Sequence, residues 1–358
     1  MPGGPTTKTS AREATDYLRG ATILLVMVTH FSVTYFSAFY QRYLFSFASM
    51  SVAIFFLVSG NGMAYSFEKR FSANKPFGKL LREFYLDRSL KVLVPYWLSL
   101  ILVFPIYGLP LRSLFFLRQI LLVPPSMLWF ISSILECYLA APFLYLLFKK
   151  LGPRRFLAVL MIAFAALWLF TRQVLILPGA FTNQYVSAFS YRSLLLGNLV
   201  FFAAGLLIPW LVSTLGPFIR NAFAPAGSLI LFYLSMKYGR QGMVMYPAYL
   251  FSGAMLCASL IARRPWLPLK RGVGLLGRNS LTLYIYHRPY FLILTSLGLL
   301  YAGSVRGILI AIVLSPALIA FSVAMTWFMA RSHLHVKRRT GFANSDRERL
   351  VVQAQESG

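Results

Sequence analysis

The sequence predicts an all-α membrane protein, a polytopic helical bundle of about ten transmembrane helices with both termini in the cytoplasm. Hydrophobic residues make up 58% of the 358 residues, charged residues make up 12%, and the mean hydropathy is +0.67. Soluble domains contain about 45–50% apolar and about 25% charged residues. One spanning helix uses about 20 apolar residues, so this chain can supply about ten. The composition therefore excludes a soluble globular chain.

Ten apolar segments follow one another along the chain. The polar stretch before the first segment has no short apolar region with a small-residue cleavage site, so we interpret that segment as a retained span. The predicted spans are 18–40, 44–66, 89–108, 127–148, 156–170, 193–212, 223–236, 243–262, 277–297 and 304–329. We expect residues 1–330 to form one membrane domain and residues 331–358 to form a mobile, basic cytoplasmic tail, in which His333 and His335 are solvated.

The positive charge of the chain is distributed unevenly between the predicted loops. The formal net charge is +26, from 35 Lys and Arg against 9 Asp and Glu. In the ten-span model 26 of the 35 basic residues fall on the cytoplasmic side, eight fall outside, and Arg288 lies within a span. This asymmetry follows the positive-inside rule. Because the basic residues flank apolar segments, we expect them to contact lipid headgroups and expect no nucleic acid as partner.

The first span carries an ionisable pair on one face. His30 lies eleven residues after Arg19, about three helical turns, so the two share a face with His30 roughly 16 Å deeper. Asp16 lies one turn before Arg19 and can pair with it. An ionisable group at this depth costs about 2.5–3.5 kcal/mol on insertion scales, so each is a candidate for function.

Two further ionisable residues reach a similar depth. Glu136 lies roughly 14 Å from the outer end of its predicted span, on a face with Ser132 and Ser133, and His287 lies roughly 15 Å from the cytoplasmic end of its span. His30, Glu136 and His287 can therefore face a common interior near the midplane. The alternative for each residue is an interhelical hydrogen bond that only fixes packing.

Other features predict less chemistry. Residues 59–62 form a small, polar interruption of the second span, which indicates either close helix packing or a break that faces a ligand. Cys137 and Cys257 lie in apolar stretches, so we expect buried thiols without a redox task. The midplane histidines and Glu136 lack the spacing of metal ligands, so no metal is expected.

Several motifs, taken in order, resemble acyltransferase family 3, the multi-pass bacterial O-acyltransferases. The first helix of that family carries Arg or Lys, then ten residues, then His, as Arg19 and His30 do here. The other matching stretches are 51–60 in the second span, Arg88-Ser89-Leu90-Lys91 with Pro95-Tyr96-Trp97, Leu128-Trp129-Phe130 through Glu136 to Tyr138, and Leu276-Gly277-Arg278-Asn279-Ser280 through Tyr284 to His287 and Pro289. The family commonly has Arg at the position of Lys91, and Glu136 stands where the family has Gln.

The resemblance implies a function and a location. It implies transfer of an acyl group, often acetyl, from cytoplasmic acyl-CoA to a hydroxyl of a sugar, glycan or lipid-linked acceptor, in a bacterial cytoplasmic membrane. The expected partners are acyl-CoA, that acceptor and membrane lipids. Acyl-CoA is a donor substrate, and no tightly bound cofactor is expected. The oligomeric state stays open.

The expected site residues have distinct roles. His30 can take a proton from the acceptor hydroxyl or receive the acyl group, and His287 or Glu136 can orient it or receive the displaced proton. Arg19 lies at the cytoplasmic mouth and, with Arg88 and Lys91, offers positive charge for the phosphates of CoA. The rival function is a transporter or flippase of an acylated glycan or small anion, because midplane His and Glu with basic loops also suit proton-coupled transport.

Overall fold

The structure is a computed structural model that describes residues 8–35, 45–71, 76–97, 129–176, 195–221, 223–238, 245–263, 270–300 and 305–339. Every regular element within these ranges is helical, and none of the residues in them forms a strand. In chain order the helices are α1 (Lys8–Tyr35), α2 (Phe45–Phe71), α3 (Phe77–Arg88), α4 (Trp129–Ile176), α5 (Leu195–Gly205), α6 (Ile208–Thr214), α7 (Gly216–Ile219), α8 (Phe223–Tyr238), α9 (Met245–Arg263), α10 (Lys270–Arg278), α11 (Ser280–Ser296) and α12 (Val305–Arg339).

The all-α prediction is confirmed for the described residues, and the apolar helices agree with a membrane protein. Two helical segments, Met50–Phe71 and Phe130–Ala163, are long and apolar enough to cross a membrane by length and composition. Shorter apolar helical segments lie at Phe223–Ser235, Ala248–Ala262 and Ile312–Phe328. The count of ten spans and the cytoplasmic position of both termini stay predictions.

The fourth and fifth predicted spans meet at a sharp break within α4. Gly152 there has φ 72° and ψ 165°, which is outside helical geometry. A positive φ carries little steric cost for glycine alone, and Pro153 follows as a residue suited to begin a new helix. The predicted separation of 127–148 from 156–170 therefore has its physical cause in the Gly152-Pro153 pair.

Two predicted spans are interrupted in the structure. The segment 193–212 contains a turn at Leu206 and Leu207, after which Pro209 occupies the first turn of α6. Proline has no backbone N–H, so it cannot continue the hydrogen-bond ladder of α5. The segment 277–297 is interrupted at Asn279, whose Nδ2 donates to the Leu275 carbonyl at 2.7 Å and so joins the end of α10 to the start of α11.

Two helical regions extend beyond the prediction. Helix α3 precedes the predicted third span and buries Leu80, Phe84 and Asp87 while its other faces are more exposed. It leads into a π-helical turn, Ser89–Leu93. At the other end of the chain α12 continues past residue 330 to Arg339, so the first part of the predicted tail is helical. The rest of that tail lies outside the described residues.

Glycines allow α1 to contact α10 backbone to backbone. A Cβ atom on Gly20 would lie 1.9 Å from the carbonyl oxygen of Val273, and one on Gly277 would lie 1.7 Å from that of Asp16. Real Cβ atoms do not approach an oxygen so closely, so only glycine fits at either position. This contact fixes the start of α11 against α1.

The polar interruption at 59–62 also serves close packing. A Cβ atom on Gly60 would lie 1.9 Å from the Phe202 carbonyl oxygen, and one on Gly205 would lie 2.2 Å from that of Leu57. Helices α2 and α5 therefore cross with their backbones in contact, as small-residue interfaces in membranes do. The packing interpretation of this segment is confirmed at Gly60.

Polar side chains link α11 to α12. The Thr282 hydroxyl lies 2.9 Å from that of Thr326 and 3.2 Å from the Ser322 carbonyl oxygen. Helix α11 is thus held on one side by α12 and, through α10, on the other side by α1.

Candidate functional site

The structure brings two of the predicted site residues into direct contact. Nδ1 of His30, on α1, lies 2.6 Å from Nε2 of His287, on α11. The two rings are nearly parallel, with an interplanar angle of 17° and centroids 4.9 Å apart. This histidine pair joins two residues that are 257 positions apart in the chain.

The partners of His287 assign the protons in the histidine pair. Its Nδ1 lies 2.7 Å from the carbonyl oxygen of Tyr284 and 3.1 Å from that of Leu283. Carbonyl oxygens only accept hydrogen bonds, so Nδ1 of His287 carries the proton and Nε2 of the neutral ring is an acceptor. His30 must then donate through Nδ1, and its own Nε2 carries a lone pair. In this tautomer His30 can take up a proton at Nε2.

Burial distinguishes the two histidines. His287 is 1% exposed, whereas His30 is half-buried. Aromatic rings surround the pair: Tyr284 lies 5.7 Å from the His287 ring, and Phe291 lies 6.1 Å from it. The geometry makes His287 the inner, fixed partner and His30 the more exposed one.

Equal spacings in the sequence place His30 and His287 at the same distance from the contact between α1 and α10. His30 comes ten residues after Gly20, and His287 comes ten residues after Gly277. The glycines belong to the contact between α1 and α10, and ten helical residues rise about 15 Å. From this contact both chains run in the same direction to the pair. The helix crossing therefore determines which two side chains meet.

Arg19 lies on α1 near one end of this path. Its guanidinium is 3.8 Å from the Asp16 carboxylate, which confirms the predicted pair. On the other side, Nη2 of Arg19 lies 3.4 Å from the position that a Cβ on Gly62 would occupy. Gly62 on α2 is thus a close neighbour of the guanidinium.

Glu136 is buried on α4, with 2% of its surface exposed. The same helix contacts α11 at its first turn, where the Phe130 ring lies 5.2 Å from that of Tyr284. Glu136 is six residues further on, about 9 Å along the helix axis. Its predicted role beside His30 stays a prediction.

The predicted cations Arg88 and Lys91 meet at a buried carboxylate. Lys91 Nζ lies 2.9 Å from Asp87 Oδ1, and guanidinium nitrogens of Arg88 and Arg70 lie 3.6 and 3.7 Å from Oδ2. Asp87 is 4% exposed. Three cations and one carboxylate leave this Asp87 cluster (Arg70, Asp87, Arg88 and Lys91) with a net charge of about +2 at neutral pH.

Aromatic faces hold the arginines of the Asp87 cluster in place. The Arg88 guanidinium lies 5.3 Å from the Tyr138 ring centre and 5.7 Å from that of Phe84, and Arg70 lies 5.9 Å from Phe84. Arg88 Nε is buried and has no hydrogen-bond acceptor among the described residues. The cluster is therefore a preassembled group of donors with positive charge in excess.

One residue of the Asp87 cluster, the carboxylate Asp87 itself, escaped the sequence interpretation. Asp87 directly precedes Arg88 and lies four residues before Lys91, a spacing that pairs opposite charges on a helix. That spacing was a usable signal for Asp87. Arg70 belongs to the basic stretch between Lys69 and Lys91 that the sequence offers to the phosphates of CoA, but its contact with Asp87 depends on tertiary packing of α2.

A comparison with known protein families finds a match over most of the chain. A family model described as an acyltransferase domain matches residues 12–330, a range that holds Arg19, His30, Arg88, Lys91, Glu136 and His287. No curated protein matches the chain, and no solved structure does.

Proposed function

The chain belongs to acyltransferase family 3, and from that membership we propose that it is a membrane O-acyltransferase which moves an acyl group, in the simplest case acetyl, from acyl-CoA to a hydroxyl. The acceptor in this proposal is a sugar, a glycan or a lipid-linked sugar, and the membrane is the bacterial cytoplasmic membrane. The observation that supports the chemistry most strongly is the histidine pair, because its tautomer leaves a basic nitrogen on the more exposed ring.

In the proposed reaction His30 is the general base. Its Nε2 takes the proton of the acceptor hydroxyl while the hydroxyl oxygen attacks the acyl carbonyl carbon. The hydrogen bond from Nδ1 of His30 to His287 then becomes charge-assisted, which makes it stronger as the imidazolium forms. His287 keeps the ring of His30 in one orientation throughout.

The Asp87 cluster supports the choice of acyl-CoA as donor. Coenzyme A carries several phosphate charges, and the cluster offers excess positive charge on side chains that Asp87 and the rings of Phe84 and Tyr138 hold in place. Lys91 is half-exposed, so an anion can reach it from solvent. Arg19 adds a cation on the face of α1 that leads to His30.

The test is release of CoA from acetyl-CoA by the purified protein in detergent, followed with a thiol reagent. His30→Gln keeps polarity and approximate volume but has no basic nitrogen, so we expect the rate to fall about 10²-fold or more. His335→Ala, in the predicted tail, is the control and should keep the wild-type rate. A His30→Gln variant with near-normal turnover contradicts the proposal, and binding of acetyl-CoA by the wild type without turnover favours a carrier instead.

A further inference from the structure

Arg288 is a charged residue within the predicted ninth span that no step described above uses. It directly follows His287 on α11 and is half-buried. Among the residues that the structure describes, it makes no hydrogen bond or ion pair. A cation inside a span is unfavourable, so this position calls for a physical reason.

The register of α11 places Arg288 beside the histidine pair. It lies four residues after Tyr284 and thus on the same helix face, and helical side chains lean toward the N-terminus of their helix. The Tyr284 ring in turn lies 5.7 Å from the His287 ring. Arg288 is therefore a neighbour of Tyr284 on one face of α11 and of His287 along the chain.

A fixed cation beside the histidine pair opposes general-base catalysis by His30 when no anion lies nearby. When His30 takes up a proton, the imidazolium and the guanidinium repel each other in a medium of low dielectric constant. An anion that forms between them at the same moment turns this repulsion into two attractions. The attack of a hydroxyl on a thioester creates such an anion, because the electron pair of the carbonyl bond moves onto its oxygen.

We propose that Arg288 is a catalytic residue that donates guanidinium hydrogen bonds to the acyl carbonyl oxygen as that oxygen becomes negatively charged. This inference rests on the proposed function. The acceptor oxygen forms a bond to the carbonyl carbon, its proton goes to Nε2 of His30, and the carbonyl electron pair goes to the oxygen beside Arg288. Collapse re-forms the C=O bond and breaks the C–S bond, and the thiolate of CoA takes the proton from His30.

The ligand of Arg288 is thus an oxyanion present in the transition state, which separates this role from binding of a permanent anion. A residue that stabilises only the transition state lowers kcat when it is removed and leaves KM nearly unchanged. A residue that binds a phosphate of the donor raises KM. Removal of a residue that binds an anionic group of the acceptor changes neither kcat nor KM when the acceptor carries no charge.

The experiment uses acetyl-CoA as donor and two uncharged acceptors, water and glycerol, with CoA release and glycerol acetate formation as readouts. For Arg288→Gln we expect kcat to fall about 10²-fold with both acceptors, with KM for acetyl-CoA unchanged within about twofold. Arg288→Lys keeps the charge without the planar set of donors, so it should recover part of that loss. Arg306→Gln removes an exposed arginine at the start of α12 and should leave kcat unchanged.

Each of the following results overturns the inference. An increase in KM at normal kcat identifies a donor-phosphate contact, and unchanged kinetics with both acceptors identifies a packing residue. A wild-type protein that releases no CoA from acetyl-CoA refutes the proposed function and this inference with it. Normal turnover in both Arg288 variants refutes the inference alone. If Arg288→Gln does not fold in detergent, Arg288→Lys carries the test, since a kcat equal to that of the wild type contradicts the need for a planar donor group.

Discussion

The two ring nitrogens of His287 have different partners, and this difference determines what a substitution there does. Nδ1 is fixed by the backbone of its own helix, whereas Nε2 accepts the hydrogen bond of His30. In the proposed reaction His287 acts through His30 alone, which makes it a positioning residue. Its removal should affect the rate without affecting donor binding.

We predict that His287→Leu lowers kcat about tenfold or more, because it leaves the Nδ1 donor of His30 without its acceptor at a cost of about 1–3 kcal/mol. His287→Gln should recover much of the rate, since its amide oxygen can accept the same hydrogen bond. Initial rates with acetyl-CoA measure the kcat of both variants, and the KM for acetyl-CoA should stay constant. Equal rates for the Leu and Gln variants would show that His287 fills space only.

The sequence predicted the single residues better than their contacts. Arg19 and His30 belong to one helix, where spacing alone determines the shared face, and the Asp16 pair followed from the same rule. The contact between His30 and His287 depends on how two distant helices cross, which no local pattern encodes. The matching intervals from Gly20 to His30 and from Gly277 to His287 were a signal for it, but only once the glycines are known to touch.

At the scale of helices, the contact between α1 and α10 is the feature that a substitution can test most directly. Gly277 lies within that contact, whereas Gly272, on the same helix, has nothing within 4 Å of a Cβ. The two positions differ in packing but not in helix propensity. Alanine at Gly277 therefore tests the contact, and alanine at Gly272 is its matched control.

We predict that Gly277→Ala destabilises the protein by about 1–3 kcal/mol, because α1 must move to admit the methyl group. It should also lower activity, since the movement separates His30 from His287. Gly272→Ala should be neutral or slightly stabilising, as alanine is the better helix former. Thermal unfolding in detergent and CoA release measure the two effects. A Gly277→Ala variant as stable as Gly272→Ala contradicts the backbone contact.

The turn from α3 into the π-helical segment carries the proposed donor site. We predict that Arg88→Glu or Lys91→Glu raises the KM for acetyl-CoA more than it lowers kcat, because the positive excess of the Asp87 cluster is removed. Added salt should raise the KM of the wild type in the same way, by screening. Lys79→Glu, exposed on α3, is the control. A KM that neither substitution changes would remove this cluster from the donor site.

Hydropathy predicted where helices lie but not where they break. The break at Gly152 fell between two predicted spans because Gly and Pro interrupt the apolar pattern there. The break at Leu206 lies inside an apolar segment, so hydropathy could not reveal it, whereas the break at Asn279 lies among the polar residues that begin the predicted ninth span. Helix α3 escaped prediction because its buried face is narrow and includes the charged residue Asp87.

At the scale of the whole molecule, the distribution of basic residues predicts on which side of the membrane the C-terminus lies. A reporter fused after the C-terminal tail should report the cytoplasm, because 26 of the 35 Lys and Arg lie on that side in the ten-span model. Paired phosphatase and fluorescent-protein fusions measure this directly. A periplasmic signal would mean an odd number of spans, with the short segments 156–170 and 223–236 as the first to re-examine.

The glycine contact between α1 and α10 also bears on how a substrate reaches the interior. Backbones that touch without intervening side chains have no rotamers that can adjust, so α1, α10 and the attached α11 should move as one rigid body. A gap between α1 and α11 would require this contact to break. We therefore expect the acyl chain to enter by displacement of neighbouring helices, with the two histidines travelling together and staying in register while the path opens and closes around them.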